Sequence, residues 1–317
     1  MTTRWGIVST VKAPLRDLLD FVSWHLEAGA HRIYLYFDAP DAHAQDVLQS
    51  HPKVRVTLTD NAYWAKRGGR PERHQPRQCR NARHANNRRA EVDWLCHIDV
   101  DEFLMPAQGR MADHLAALPA TCLTARVRPV EALAHGAGVA PDETAFKAFY
   151  LDQKKRQAAS IRAFPTWGPQ LSGGFLSHVA GKLFFRTGLK GLKIRIHNVE
   201  LDGVTNPGQA SFDGIDLLHM HAKSWDDWYA AYAFRHAQGS YRPELKAQAR
   251  SPDALSLHAL FAQIEETRGL EGLRAFYDEV CVATPDLCAR LEAEGLLRRH
   301  VLGFAALRAH HFPDKTP

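Results

Sequence analysis

The chain opens with short apolar runs that alternate with amphipathic segments. The runs Trp5–Val11 (WGIVSTV), Arg32–Phe37 (RIYLYF) and Val54–Leu58 (VRVTL) are rich in β-branched and aromatic residues, which predicts three strands. Leucine and valine recur at helical spacing over 15–26, and a second helix is expected at 42–49. This alternation predicts parallel strands joined by right-handed crossovers, so the fold class is α/β.

The rest of the chain is less regular. Ser224 has the chemistry of a helix N-cap, and the helix after it carries an aromatic stripe that is typical of a buried face, with stacking against an acceptor sugar as the alternative. From 252 onward the pattern is helical with breaks, and 131–170 shows no assignable pattern. The other expected elements are strands at 121–130, 181–186, 192–197 and 217–221 and helices at 78–90 and 110–118.

Composition narrows the class of protein without naming a function. The 317 residues can bury a large core in one domain or two. No apolar run reaches the roughly 18 residues that a membrane span needs, and the N-terminal segment lacks the apolar core of a signal peptide, so we expect a cytoplasmic protein. The five cysteines form no CxxC pair, which favours reduced, buried thiols over disulfides or a structural zinc site.

Positive charge is concentrated in one segment. A single acid, Glu72, accompanies the basic residues Lys66, Arg67, Arg70, Arg73, Arg77, Arg80, Arg83, Arg88 and Arg89. Such a segment predicts an anionic partner: a diphosphate, a nucleic acid or an anionic membrane surface. A solvated helix face without a ligand is the alternative interpretation.

A fourth apolar run, 94–104 (WLCHIDVDEFL), contains Asp99, Asp101 and Glu102. Carboxylates this close repel one another, and burying them costs free energy unless a cation or a ligand offsets the charge. If the run is one strand, Asp99 and Asp101 face the same side and Glu102 faces the other. Oxygen ligands in that arrangement suit Mn²⁺ or Mg²⁺ together with substrate phosphate oxygens. An acidic surface turn is the alternative.

Several segments together resemble a known family. HIDVDEFL after an apolar strand, the TVK end of the first strand, the run FVSWHLEAGAHRIYLYFDAPDA and the downstream HMHAKS look like the glycosyltransferase family 2-like proteins, in the bacterial branch related to glycosyltransferase family 92. The resemblance covers about 5–240. It implies a GT-A fold: a Rossmann-like mixed sheet flanked by helices, with a nucleotide half over about 1–105 and an acceptor half over 106–240. A C-terminal helical extension would then occupy 241–317.

The resemblance also implies roles for individual residues. Asp99 is expected near the ribose or the metal, Asp101 on the metal, and His219 as a third metal ligand, with His221 less favoured than His219. Lys182 and Arg195 match basic positions of the acceptor half, and Ser224 completes the motif of Lys223. The residues expected to contact the nucleotide are Thr10, Val11, Lys12, Asp38, Arg80, Asn81, Asp99 and Lys223.

The implied activity is hexosyl transfer from a nucleotide-diphosphate sugar, a UDP-sugar first of all, to a glycan or surface-polysaccharide acceptor. A divalent ion and basic side chains would stabilise the departing diphosphate. Inverting transfer needs a carboxylate base, and Glu131 and Asp202 are the candidates, although neither belongs to a motif. Glu102 is assigned a supporting role. We expect no nucleic-acid partner and a peripheral contact with the inner face of the membrane.

Two other functions fit parts of this pattern. A two-metal nuclease would use the carboxylates and the basic segment, but it would also need a second acidic cluster, and the sequence shows no convincing one. A non-catalytic carbohydrate-binding protein on the same fold would not need Asp101. Nucleotide-dependent binding of Mn²⁺ separates both from a transferase.

Overall fold

The computed structural model describes residues 2–88, 91–237, 247, 249, 254–313 and 315. The strands of this part of the chain are β1 (Trp5–Val11), β2 (Arg32–Phe37), β3 (Val54–Leu58), β4 (Trp94–His97), β5 (Glu102–Pro106), β6 (Thr124–Ala132), β7 (Glu143–Lys147), β8 (Lys182–Arg186), β9 (Lys193–Ile194), β10 (Val199–Leu201), β11 (Val204–Thr205), β12 (Gln209–His219) and β13 (Leu297–Val301).

The helices in the described part of the chain are α1 (Leu15–Glu27), α2 (Ala42–Gln49), α3 (Asn61–Ala65), α4 (His74–Asn87), α5 (Met111–Ala116), α6 (Gln153–Ala163), α7 (Trp225–Ala237), α8 (Leu257–Cys281), α9 (Pro285–Ala293) and α10 (Phe304–His311), with a 3-10 turn at Gly168–Gln170. None of the helices described is both long and apolar enough to cross a membrane.

The chain divides into two compact units. The first comprises Met1–Pro129, Ala180–Leu217 and Gly303–Pro317, and the second comprises Val130–Val179 and Leu218–Leu302. Each unit is therefore assembled from segments that are distant in sequence.

These units follow a different division from the one expected along the sequence. The expected boundary near residue 105 lies inside the first unit, whereas the expected boundary between 240 and 241 lies outside the described residues. The division into a nucleotide half, an acceptor half and a helical extension stays a prediction.

Parallel strands form the centre of the first unit. β3, β2, β1 and β4 lie side by side in that order and are all parallel. β8 pairs antiparallel with β4, and β6 in turn pairs antiparallel with β8, so the sheet is mixed. Gly6 sits in the middle of β1, where a Cβ atom would lie 2.6 Å from the carbonyl oxygen of Arg32, so a larger residue would push the neighbouring strand away. The predicted α/β class, a mixed sheet flanked by helices, is confirmed and is consistent with a GT-A type of fold.

Helices cover both faces of this sheet. One face packs Val8, Tyr36 and Leu95 against Tyr63 and Trp64 of α3 and against α4. On the α1 side, the Trp24 indole donates to the carbonyl of Leu104 at 2.9 Å, and the Trp24 and Phe103 rings meet edge to face. Burial of these rings orders the strand ends.

The carboxylate run is two strands and not one. β4 ends at His97 and β5 begins at Glu102, so 98–101 form a tight turn in which the N–H of Glu102 donates to the carbonyl of Asp99 at 3.1 Å. The expectation that Asp99 and Asp101 share a face by strand alternation is therefore wrong, because alternation holds only in an extended backbone. Their positions are set by the turn.

The second unit contains the end of β6 and the helical part of the chain. Glu131 and Ala132 of β6 pair with β7, which pairs with β13, and both pairings are antiparallel. Trp228 and Tyr232 of α7 are 1% and 3% exposed and pack on Phe261 of α8. For these two aromatic residues the core interpretation is confirmed.

Several elements differ from the sequence expectation. β7 and α6 occupy the segment that showed no pattern, β13 lies where helix was expected, and the expected strand at 192–197 shortens to β9. By contrast, the Ser224 cap is confirmed: its hydroxyl oxygen accepts the N–H of Asp227 at 3.1 Å and its O–H donates to the Asp227 carboxylate at 2.8 Å.

Candidate active site

The carboxyl ends of β1, β2, β3 and β4 meet at one edge of the first unit, because these strands are parallel. In open α/β sheets ligands bind at this edge. A cleft of about 280 Å³ opens there, at the ends of β1 and β2, and its lining includes Lys12, Phe37 and Asp41. Lys12, expected to contact the nucleotide, is thus at the cleft. Val11 is 1% exposed, so its side chain belongs to the core.

Asp38 at the end of β2 is held by two arginines of the basic segment. Its carboxylate oxygens lie 2.9 Å from Arg77 Nη2 and 3.0 Å from Arg70 Nη2, and the Asp38 side chain is 11% exposed. Pairing at these distances places both guanidinium groups at the carboxyl edge. These two residues are thus engaged with Asp38, while the choice between an anionic partner and a solvated basic loop and helix face stays a prediction.

A buried chain of hydrogen bonds connects α3, α4 and β1. Tyr63 donates through its hydroxyl to Asn81 Oδ1 at 2.8 Å, and Asn81 Nδ2 donates to Thr10 Oγ1 at 2.9 Å. Asn81 is fully buried, so the structure gives it a supporting place beneath the edge. Arg80 points elsewhere: its guanidinium donates to the carbonyl of Gly69 at 3.0 Å.

Asp99 is surrounded by side chains from α4, β5 and β8. Gln78 Nε2 donates to Asp99 Oδ1 at 2.5 Å, and Lys182 Nζ donates to Asp99 Oδ2 at 2.6 Å. Lys182 also lies 3.3 Å from Glu102, whose Oε2 accepts the backbone N–H of Asp99 at 2.8 Å. Glu102 therefore positions the Asp99 turn, which agrees with its assigned supporting role.

The charges of this cluster are strongly coupled. Burial is the largest single influence on the pKa of the Asp99 carboxyl and would raise it, as would the neighbouring Asp101, but the charge and the hydrogen bond of Lys182 help to hold this pKa below its ordinary value. Burial likewise opposes the charge of Lys182, which is 2% exposed, yet Asp99 and Glu102 raise its pKa above the ordinary value. Lys182 is therefore a permanent cation between two anions.

The Lys182 ammonium affects both roles expected of Asp99, which are a place near the ribose and a place on the metal. Each Asp99 oxygen already accepts from a side-chain donor, and a divalent ion on this carboxylate would sit beside a buried ammonium. A place near the ribose therefore suits Asp99 better than a place among the metal ligands. Asp101, in the same turn and half-buried, fits a metal ligand by its chemistry.

His97 lies directly before the turn. It is 3% exposed, and neither ring nitrogen has a hydrogen-bond partner among the described residues. Burial first, then the Lys182 charge, lowers the pKa of His97 to about 3. The ring is thus neutral and incompletely hydrogen-bonded at physiological pH.

Glu131 lies in a closed network of the second unit. Its carboxylate accepts the Ser177 hydroxyl at 2.7 Å and the N–H groups of Ser177 and Leu176 at 3.0 and 3.2 Å, and lies 3.3 Å from Lys147 Nζ. The Glu131 and Lys147 side chains are 1% and 0% exposed. Although burial would raise the pKa of Glu131, Lys147 followed by His221 lowers it to about 2.

The remaining predicted residues occupy three different settings. Asp202 and Gly203, with φ of 50° and 81°, are the central residues of the tight turn between β10 and β11, in the first unit. Positive φ at both positions is what a type I′ hairpin turn requires, and Asp-Gly is a preferred pair for it. His219 ends β12 in the second unit, with its ring 5.0 Å from that of His221, and Lys223 is exposed.

Sequence reasoning missed Gln78, Arg70 and Arg77 as members of this site. The arginines were recognised by charge alone, and Gln78 carries no motif, since only the helical turn of α4 brings it to Asp99. Lys182 was noted as a basic position without its partner, which lies 83 residues earlier. A buried lysine in an apolar strand, KLFFR, is the one signal that could have indicated a paired charge.

Comparison with known proteins adds little. No family model and no curated protein matches the chain. Among solved structures, the bifunctional glycosyltransferase WbbM is 11% identical over 58% of this chain and 31% of its own, with a TM-score of 0.30. The galactosyltransferase LgtC with donor and acceptor sugar analogues is 11% identical over 57% of both chains, with a TM-score of 0.29.

Mouse xyloside xylosyltransferase 1 is 10% identical over 58% of this chain and 67% of its own, with a TM-score of 0.27. The chain thus spans about a third of the length of WbbM and just over half of that of LgtC. With TM-scores well below 0.5, none of these likenesses supports a conclusion about function, and the relationship to glycosyltransferase family 92 stays a prediction.

Proposed function

We propose that this chain is a glycosyltransferase that moves a hexosyl group from a nucleotide-diphosphate sugar to a glycan or surface-polysaccharide acceptor. The observation that supports it is the carboxyl edge of the parallel strands, where the D-x-D turn lies on a buried lysine and where Arg70 and Arg77 are paired to Asp38. Because Arg70 and Arg77 share the single carboxylate of Asp38, positive charge is left at this edge, and it suits a diphosphate, whose charge grows as the sugar leaves.

We further propose that Mn²⁺ or Mg²⁺ assists the reaction and that Asp101 is a ligand. The ion would supply positive charge for the diphosphate. Asp99 would act through its place beside Lys182, near the ribose, and Lys12 through the cleft at the end of β1. The roles of His219 as a further ligand, of Lys223 on the nucleotide and of a UDP-sugar as donor stay predictions.

Neither carboxylate expected to act as the base is placed as a base requires. Glu131 is held by three donors and an ammonium, and its lowered pKa makes it a poor proton acceptor. Asp202 is explained by the needs of its turn. Inverting transfer through either residue stays a prediction, and the local geometry argues against both. The cytoplasmic location and the contact with a membrane surface also stay predictions.

Thermal unfolding with nucleotides tests the proposal. We expect UDP or GDP to raise the melting temperature only when Mn²⁺ is present, and Asp101→Asn to abolish the shift. Asp142→Asn, at an exposed position of the second unit, is the matched control and should respond like wild type. Stabilisation by an oligonucleotide but by no nucleoside diphosphate would indicate the nuclease, and stabilisation by glycans alone would indicate the binding protein.

A further inference from the structure

Two helices of the first unit end at the same place. Glu27 is the last residue of α1, and His310 and His311 are the last two residues of α10. One ligand atom from each of these three side chains lies within 4.8 Å of the others. His311 Nε2 and Glu27 Oε2 are already 3.1 Å apart.

Contacts elsewhere along the two helices hold this arrangement in place. Arg308 of α10 forms an ion pair with Asp20 of α1. Phe304, at the start of α10, packs on Trp24 and Phe103 with ring centroids 5.7 and 5.0 Å apart. The approach of the three side chains therefore follows from the packing of α10 against α1 and not from their mutual attraction alone.

Helix ends and Glu27 supply negative charge at this point, and Lys53 is the basic neighbour that opposes it at His311. The C-terminal end of a helix carries about half a unit of negative charge on its unpaired carbonyl groups, and two such ends meet here. Glu27 adds a full negative charge at an exposed position, while the His311 side chain is 14% exposed. A bound cation would thus meet favourable charge on a partly enclosed site.

The donor set selects the kind of cation. Two imidazoles and one carboxylate suit Zn²⁺ and similar transition ions, whereas Mg²⁺ and Ca²⁺ prefer oxygen ligands alone. Tetrahedral zinc, with bonds of about 2.0–2.1 Å, holds its ligand atoms about 3.3 Å apart. The 3.1 Å separation of His311 and Glu27 is close to that value. The ligand atoms lie within 4.8 Å of one another, so binding an ion needs the exposed His310 ring to approach and the His311 ring and the Glu27 carboxylate to turn from each other toward the ion, as rotamer changes allow.

We propose that Glu27, His310 and His311 bind a Zn²⁺-type transition ion, with water at the remaining position, and that the ion fastens the last turn of α10 to the end of α1. This site is separate from the Mn²⁺ or Mg²⁺ site proposed at Asp101 and does not depend on sugar transfer. Its role is structural, because bound metal stabilises the folded arrangement that brings its ligands together.

Zinc titration of the full-length, chelator-treated chain tests the proposal. We expect one tight site in competition with a chromogenic chelator, and at least tenfold weaker binding in both His310→Ala and His311→Ala, since losing even a group that merely supports a ligand costs about 10- to 100-fold. His43→Ala, at an exposed position of α2, is the matched control and should bind zinc like wild type.

Hydrogen exchange gives an independent measurement. Zinc should slow exchange of the α10 amides in wild type and in Asp101→Asn, but not in His310→Ala, whose exposed side chain is not needed for folding. Unchanged zinc affinity in the two histidine variants, or an equal loss in His43→Ala, would overturn the proposal. Loss of the zinc effect in Asp101→Asn would show instead that zinc acts at the D-x-D turn.

Discussion

Replacing Lys182 by methionine tests whether this lysine is the buried cation that offsets the charges of Asp99 and Glu102. Lys182 is 2% exposed, and its ammonium lies 2.6 Å from Asp99 and 3.3 Å from Glu102. Methionine keeps the apolar stem of the side chain but leaves two carboxylates facing each other without a cation. Removing one partner of a buried ion pair costs about 3–5 kcal/mol. Because the Asp99 side chain is 35% exposed and water screens part of its charge, we expect about 2–4 kcal/mol.

Lys193→Met supplies the matched control. Lys193 lies at the same distance, 2.6 Å, from Glu200, but the two side chains are 56% and 25% exposed. A surface pair contributes about 0–1 kcal/mol, so this variant should change stability little. The two lysines thus have the same shortest pair distance but differ in burial, and Lys182 has Glu102 as a second partner.

Urea unfolding followed by tryptophan fluorescence measures both variants. The loss in Lys182→Met should shrink between pH 7 and pH 4, because acid protonates the carboxylates that have lost their cation. Adding Asp99→Asn to Lys182→Met should recover part of the stability, since it removes one of the two like charges. A cost under about 1 kcal/mol, equal to that of Lys193→Met, would refute the view that Lys182 is a structural cation.

Two further predictions concern other buried ionisable groups. Glu131→Gln should keep most of the hydrogen bonds of Glu131 but leave the buried Lys147 without its counter-charge. We therefore expect the free energy of unfolding, measured in urea, to fall by about 3–5 kcal/mol. A variant as stable as wild type that has lost transfer activity would instead support Glu131 as the base. Burial lowers the pKa of both His25 and His97 to about 3. Below pH 6.5 the unfolded chain therefore binds protons that the folded chain does not. The free energy of unfolding should fall by about 1.4 kcal/mol per pH unit for each histidine. His97→Phe should weaken this acid sensitivity by about half, and an unchanged slope would count against a neutral His97.

The first three strands and the first two helices were predicted from the sequence with little error. Their apolar periodicity is strong and local, and β1, β2 and β3 have the predicted bounds. The Ser224 cap was equally readable, because capping depends on groups only three residues apart. The supporting place of Glu102 agrees with the structure, although it was inferred from a strand alternation that the turn over 98–101 does not have.

Strands and turns that depend on partners far away in the sequence could not be predicted from the local pattern. β13 (LRRHV) is polar and mostly accessible, and it is a strand because it pairs with β7 about 150 residues earlier. The turn over 98–101 could not be told from a continuous strand, since the apolar run passes straight through it. The local pattern predicts which side chains of a segment can be buried, but it does not predict which other segment they pack against.

The sequence by itself thus determined the parallel edge, the cluster of acidic residues after the fourth apolar run and the basic segment that precedes it, because each follows from the type and spacing of neighbouring residues. Only the tertiary structure decided that Lys182 neutralises Asp99, that Arg70 and Arg77 hold Asp38, and that Glu131 is sealed in a network with Lys147. The physical reason is that the charge of a buried carboxylate is set by the cation that folding places within about 3 Å of it, and that cation can come from anywhere in the chain.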